Sequence, residues 1–599
     1  MKTKFHRPVF LGSGARSFWS ALLIMLMISA TVPAQSGKSS VRGTVLDPNG
    51  QVVAGAQTTL TSIETNSSRT QTTNDQGAFV FDLLSPGLYR IEVEVTGFKK
   101  SVLKDVSAQV DRPTTVDIQL EVGAVTESVS VSAGSADVLV NKQDATIGNN
   151  FQSVQITQLP LESRNVISLL SLQPGVTPDG TVTGSRSDQA NITLDGIDVN
   201  EQQTGLDPQT EEAFASVLRV TPDSVQEFRV TTANPNATQG RSSGAQVALI
   251  TKGGTNEFNG SLYWFHRNTV TTANNFFNNR SIDPDTGQGI PRRKLIRNLF
   301  GGSVGGPIKK DRLFFFYNYE GRRDAAEETV VRVVPLPSLG RGEIRFPGAE
   351  GGVTTLTAAD INNIFPDVGV NSVGLEVLAE AARKYPANAT TVGDGFNTGG
   401  FRFNAPTSVN FNTNIARVDY NLTSDARHML FFRGNYQQDL VSFAPQFPDT
   451  PPPSFWAHPF GFVVGHTWAV SPSLVNDFKY GLTRLAFTNF GDSAENFITF
   501  RFVFEPRLFN RTVSRTTPVH NFTDDVSWTK GSHGIQFGTN IRIIRNNRDS
   551  TQNAFDFAVA NPSFYDFSGA VLTDPFEDLI SPGFVSDVRS AVSSVIGRF

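Results

Sequence analysis

Ile535-Gln536-Phe537-Gly538-Thr539-Asn540-Ile541-Arg542-Ile543 alternates without a break. Ile535, Phe537, Thr539, Ile541 and Ile543 share one face; Gln536, Gly538, Asn540 and Arg542 share the other. A period of two marks a strand. Its length suits the roughly 9–11 residues that a tilted strand needs to cross a bilayer. Ala416, Val418, Tyr420 and Leu422 likewise oppose Arg417, Asp419 and Asn421, and Leu474, Phe478, Tyr480 and Leu482 oppose Asp477, Lys479, Gly481 and Thr483. A soluble β-sandwich alternates too, so the connections discriminate. Short ones fall at Lys309-Lys310, Thr423-Ser424-Asp425-Ala426, Ser471-Pro472-Ser473 and Lys530-Gly531-Ser532-His533-Gly534. Long ones fall at roughly 268–295, 335–408, 440–460 and 491–520. Strict alternation of short and long connections is the rule of outer-membrane barrels, with short periplasmic turns and long extracellular loops.

The composition agrees. With 599 residues the chain is too long for one ordinary domain. It holds 51 Gly and 47 Phe against 4 Met, a balance that favours strands and turns. Hydrophobic residues at 39 % argue against a multi-helix membrane protein. A net charge of −5 argues against nucleic acid as a partner. Absence of cysteine removes disulfide scaffolds, thiol nucleophiles and thiolate metal sites. Gly240-Arg241-Ser242-Ser243-Gly244 matches the G-x-S-x-G nucleophile elbow, but a polar run precedes it and a strand pattern follows, where the elbow needs a buried strand and then a helix. The 7 His form no H-E-x-x-H pair, and Gly301 to Gly306 lacks the G-x-G-x-x-G order. The expectation is therefore no enzyme, no cofactor and no metal.

The N-terminus carries an address. Lys2, Lys4, Arg7 and Arg16 precede the apolar run Phe18–Ile28, and Val32-Pro33-Ala34 offers small residues at a cleavage site. This reads as a secretory signal peptide over 1–34; a membrane anchor needs about 20 apolar residues, more than this run supplies. Residues 39–122 then read as a β-sandwich. Asp47-Pro48-Asn49-Gly50 is a turn in which Pro presets φ and Gly accepts a positive one. In Leu88–Val95, Tyr89, Ile91, Val93 and Val95 face away from Leu88, Arg90, Glu92 and Glu94. Gly43-Thr44-Val45, Gly55-Ala56, Thr73, Asp75, Gly77, Phe79, Pro86-Gly87, Tyr89 and Gly97-Phe98 together resemble the carboxypeptidase regulatory-like domain. That family is non-catalytic, and its likeness to starch-binding modules implies carbohydrate contact only by analogy; a folded spacer is the plainer reading. Asp47 and Asp75 lack the dense ligand spacing of a calcium loop and read as turn residues.

Residues 123–255 alternate less and are rich in Gly, Asn, Thr and Ser. Leu194-Asp195-Gly196 and Thr251-Lys252-Gly253-Gly254-Thr255-Asn256 resemble the plug domain of TonB-dependent outer-membrane receptors. Phe258 to Phe265, Asn298 to Ile308, Arg312 to Phe316 and Tyr319-Glu320-Gly321 resemble the barrel entry of the Oar-like type. The fold expected is mainly β: an N-terminal β-sandwich, an α/β plug, and over 256–599 the first part of an antiparallel transmembrane β-barrel. About nine strands are counted by residue 549, against roughly 22 in a plugged barrel, so a C-terminally truncated fragment is expected. Val585, Val588, Val592 and Val595 have helical spacing and predict a loop helix.

The resemblance implies an exported protein of the cell outer membrane, surrounded by its lipid, that takes up a small-molecule, sugar or peptide ligand with energy from the TonB complex. The segment that TonB grips must be an extended strand open to β-augmentation. Val125, Thr126, Glu127, Ser128, Val129, Ser130 and Val131 are the candidates; an ordinary linker strand is the plainer alternative. Phe276, Phe277, Phe455 and Trp456 in the long loops are candidates for ligand contact, with loop packing or a membrane girdle as the alternative. The second functional reading is an outer-membrane adhesion or surface-binding protein that transports nothing.

Overall fold

A computed structural model describes residues 37–598, apart from 124–127, 133–144, 204–215, 551–556, 563–576 and shorter gaps of one to three residues. Residues 1–34, where a signal peptide is expected, and Phe599 lie outside the described residues, as do Val125, Thr126 and Glu127.

The first unit is a two-sheet β-sandwich. Its strands are β1 (Ser39–Leu46), β2 (Gln57–Ser62), β3 (Ser68–Thr72), β4 (Ala78–Leu84), β5 (Gly87–Glu94), β6 (Lys100–Ala108), β7 (Pro113–Thr115), β8 (Ile118–Gln119) and β9 (Ser128–Ser132). One sheet runs β4-β1-β7 with β8 beside β1; the other runs β3-β2-β5-β6-β9. Alternating residues such as Val41, Val45, Tyr89, Ile91 and Val93 meet between the sheets. The turn at Asp47–Gly50 closes as its residues dictate: the Asp47 carboxylate accepts the N–H groups of Asn49 and Gln51, and Gly50 sits at φ +80°. The rings of Phe79, Phe81 and Tyr89 are turned into this core and are not offered to a ligand. Strand β9 belongs to the stretch that sequence assigned to the plug, yet it pairs in parallel with β6 of the sandwich.

The plug holds β10 (Ile147–Gln152), β11 (Asn191–Leu194), β12 (Ile197–Asp198), β13 (Val225–Ala233) and β14 (Gln246–Thr251). They form one sheet in the order β10-β13-β14-β11-β12. A short helix, Ser153–Gln158, and a 3₁₀ turn, Val166–Leu172, cover it and supply Ile156, Val166, Ile167, Leu169 and Leu170 to its core.

The third unit is a long antiparallel meander. Its strands are β15 (Asn259–Asn268), β16 (Leu295–Lys309), β17 (Leu313–Pro335), β20 (Thr398–Asn421), β21 (His428–Ser442), β22 (Ser454–Ala457), β23 (Phe460–Ser471), β24 (Leu474–Phe490), β26 (Val513–Lys530), β27 (His533–Ile544) and β28 (Asn547–Ser550). Because β22 and β23 share one pass and β27 and β28 another, the eleven strands make nine passes. Short turns close one end and long excursions the other, in the order the sequence predicts. Leu262, Trp264, Tyr436, Val464, Trp468, Phe478, Phe522, Ile535, Phe537, Ile541 and Ile543 stand exposed on the outer face. Asn318, Arg433, Asn435, Gln437, Asp477, Lys479, Asn521 and Thr523 are buried on the inner one. Apolar-out and polar-in is the pattern of a barrel wall in lipid. The outer edges of β15 and β27 carry no partner strand among the described residues.

The long excursions are not loose loops. The hairpin β18 (Ile344–Pro347) and β19 (Val353–Leu356), the parallel pair β25 (Phe497–Phe500) and β29 (Phe557–Ala560), and the helices Ala358–Ile364, Ser372–Lys384 and Val585–Val595 pack into one cap. Its core gathers Val334, Leu378, Phe447, Phe500, Phe504, Val588, Val592 and Val595 from excursions far apart in sequence. The helix predicted over 585–595 is present and buries Val588, Val592 and Val595. Among the described residues no helix is long and apolar enough to cross a membrane.

Candidate functional site: the seat of the plug in the barrel

The two plug motifs meet at one point. Asp195-Gly196 forms the tight turn between β11 and β12, with φ +52° and +82°. An Asp-Gly pair suits a two-residue hairpin whose central residues both need positive φ. The turn throws the Asp195 side chain back toward the end of β14. There its carboxylate accepts the Thr251 N–H at 3.0 Å and the Thr251 hydroxyl at 3.0 Å. The barrel answers with two arginines: Arg417 of β20 at 3.3 Å and Arg433 of β21 at 3.1 Å. Arg417 also donates to the Thr251 carbonyl at 2.8 Å, and Arg433 to the Leu194 carbonyl at 3.1 Å. Burial opposes ionisation of Asp195, but the two guanidiniums and the Thr251 donors outweigh it and hold the carboxyl below its usual range. Gly254 follows because nothing larger fits: a Cβ there would stand 2.4 Å from the Phe315 carbonyl oxygen.

The rest of the seat repeats this chemistry. Arg164 reaches Glu320 of β17 at 2.8 Å, and Arg219 reaches Asp439 of β21 at 2.9 Å. Glu201 takes Arg515 of β26 at 2.7 Å, and Asp198 takes Arg542 of β27. Thr221 bonds Asn318 at 2.7 Å. Two wall glycines leave sockets for plug side chains: a Cβ on Gly481 would meet Ile197 at 2.7 Å, and one on Gly461 would meet Leu218 at 2.6 Å. The plug is thus seated mainly through ion pairs and hydrogen bonds. Such pairs fix geometry more than they add stability, because desolvation offsets most of their attraction.

Beneath the plug sits the sandwich. Glu227 of β13 accepts the Val110 N–H at 3.1 Å and bonds Asn150. Burial pushes its carboxyl up to about 7, against the donors that favour the charged form. Lys38 reaches Asp477 at 3.4 Å and Thr467 at 3.2 Å on the barrel wall; its own burial pulls its pKa down.

Toward the cap, the inner wall borders an open cavity of about 1030 Å³. Arg297 and Arg322 share Asp324 on one side, and Arg332 donates to the Gln446 carbonyl of the cap. Val409, Val441 and Phe455 line the other side. Of the aromatic candidates Phe455 lines this space, buried and stacked on Phe487. Trp456, its neighbour in β22, is turned to the outer face and stacks on His458. Phe276 is exposed on the short helix Phe276–Arg280, under Arg280 and away from the cavity; Phe277 lies on the same helix. The sequence reading missed Arg297, Arg322, Asp324 and Arg332. Their signal was available, since Glu320, Arg322 and Asp324 occupy every second position of β17. Ser242 of the G-x-S-x-G match hydrogen-bonds the Gln189 carbonyl and precedes strand β14, not a helix.

The outer membrane beta barrel domain family matches residues 250–591, and the carboxypeptidase regulatory-like domain matches residues 40–121. The TonB-dependent transporter Oar of Myxococcus xanthus is 27 % identical over 310 residues, which is 49 % of this chain and 27 % of that protein. The outer membrane transporter YddB of Escherichia coli aligns over 67 % of this chain and 48 % of its own, at 12 % identity and a TM-score of 0.43. The ferric enterobactin receptor PfeA of Pseudomonas aeruginosa aligns over 64 % and 49 %, at 12 % identity and a TM-score of 0.34. The chain therefore spans about a quarter of the curated relative and about half of these solved structures. By the match over more than half its length, the chain belongs to the outer membrane β-barrel family, carries a carboxypeptidase regulatory-like domain ahead of the barrel, and resides in the cell outer membrane.

Proposed function

We propose that the protein is a TonB-dependent receptor that carries a small ligand (an oligosaccharide, peptide or chelate) across the outer membrane. The units are the sandwich over 39–122, with β9 added to the edge of its sheet, the plug within the rest of 123–255, and the barrel wall from 256 onward. The observation that carries the reading is the convergence of Leu194-Asp195-Gly196 and Thr251-Lys252-Gly253-Gly254-Thr255-Asn256 on Arg417 and Arg433. A plug held by ion pairs can leave its seat and return, because water re-solvates both partners when they part. The outer membrane has no ATP of its own, so the work must arrive through a periplasmic partner. Ser128–Val131 of β9 is the proposed grip, since among the described residues its outer edge carries no partner strand and can accept one by β-augmentation. The cavity lined by Arg297, Arg322, Asp324, Arg332 and Phe455 is the proposed ligand chamber. A barrel that served only as an adhesive anchor would have no use for a removable plug.

The test is Val129→Pro, which removes a strand N–H. Cross-linking of this variant to the TonB C-terminal domain should fall to background while the barrel still inserts. Undiminished cross-linking would remove β9 as the grip.

A further inference from the structure

We infer that the sandwich, not the plug, is the first body displaced when β9 is pulled; this rests on the reading of β9 as the coupling strand. Strand β9 is not a free tether. It pairs in parallel with β6 through Lys100↔Ser128, Ser101↔Val129, Val102↔Ser130, Leu103↔Val131 and Lys104↔Ser132. Among the described residues it is the terminal strand of the sheet β3-β2-β5-β6-β9, so a partner strand added to its outer edge would extend the sandwich sheet itself. A pull on β9 then loads the whole ladder in shear along β6 and passes into the sandwich core before it reaches β10.

What resists that load differs between the two bodies. Among the described residues the sandwich meets the barrel rim through these polar contacts: Lys38 with Asp477 and Thr467, Asn74 with the Gly531 carbonyl at 3.1 Å, Asp82 with Ser527 at 2.6 Å, and the Glu64 carbonyl with the Asn256 N–H at 3.0 Å. Its apolar contact with the plug is the small cluster of Val110, Ala248 and Ile250. The plug is held by ion pairs to β17, β20, β21, β26 and β27 and by the sockets at Gly461 and Gly481. The lighter clasp lies nearer the point of pull. Val110 to Glu227 is then the link through which the moving sandwich draws on the plug.

Native outer-membrane vesicles bearing the whole protein provide the test. The TonB C-terminal domain on a force probe is the handle. Because the chain has no cysteine, Asp82→Cys with Ser527→Cys can be bridged selectively by a short thiol cross-linker. Two ruptures are expected without the bridge, sandwich release and then plug extraction. The bridge should abolish the first, and reducing the linker should restore it. Lys38→Met should lower the force of the first rupture and leave the second unchanged. A first rupture that is the same with and without the bridge overturns the inference while leaving β9 as the grip. Failure of the TonB domain to attach overturns the coupling reading and the inference with it.

Discussion

Two regions tie the barrel strands together across the lumen, and they do so with opposite chemistry. On β17, Val334 runs into the apolar cap, while Glu320 on the same inner face takes an arginine from the plug. The cap closes on stacked rings such as Tyr385 and Phe447, whose centroids lie 4.1 Å apart. The seat closes on Asp195, Arg417 and Arg433. Apolar burial is non-directional and is lost in proportion to area exposed. An ion pair is lost with its geometry and regained with it. On the proposed reading the cap is a standing structure and the plug is the part that moves.

The strongest break in this comparison is Asp195→Ala. It leaves the buried Arg433 without its carboxylate, at a cost of about 3–5 kcal/mol, while Arg417 keeps its pair with Asp419. Planar-bilayer recordings should show openings that the wild type lacks, with the cap still resistant to protease. Next is Phe447→Ala at the centre of the cap, at about 3–5 kcal/mol for the lost ring and the cavity it leaves. Here the order reverses: proteolysis of the cap should accelerate while the conductance stays closed. Gly481→Leu is smaller, about 1–3 kcal/mol of overpacking against Ile197. Ile197→Ala in the same chain should relieve it, which a double-mutant cycle on thermal stability would register.

The subtlest prediction concerns pH at the junction of plug and sandwich. Glu227 has a folded pKa raised by burial to about 7 from an ordinary 4.5. Its contribution is fully present below 4.5 and is lost as pH rises through about 7. The protection factor of the Val110 amide, its exchange rate relative to the free peptide at the same pH, should therefore fall across that window in the wild type. In Glu227→Gln the protection factor should be flat. Asp195 behaves oppositely: its folded pKa is depressed, so its contribution holds above 3.8 and fades only as pH falls below that.

Much of this architecture was legible in the residues. The period-two pattern in 416–422, 474–483 and 535–543 and the alternation of turn lengths placed the wall and its direction, because lipid and lumen impose opposite demands on successive side chains. The plug motifs were legible as motifs only. Their meeting with Arg417 and Arg433 depends on residues more than 160 positions away, and no local period reports such a contact. The cap escaped notice for the same reason: its core is assembled from Val334, Phe447, Phe500 and Val592, each unremarkable in its own loop. Of the aromatic candidates, Phe455 and Trp456 are adjacent in β22, so strand geometry itself sends one inward and the other out.

The central claim is that Asp195 locks the plug in its seat. Hydrogen exchange of residues 191–198 and 246–251 in wild type and Asp195→Asn, in the same membrane preparation, tests it most directly. The account predicts faster exchange throughout β11, β12 and β14 in the variant, with the amides of the helix Ser372–Lys384 unchanged. Equal exchange in β11, β12 and β14 in the two proteins would contradict it.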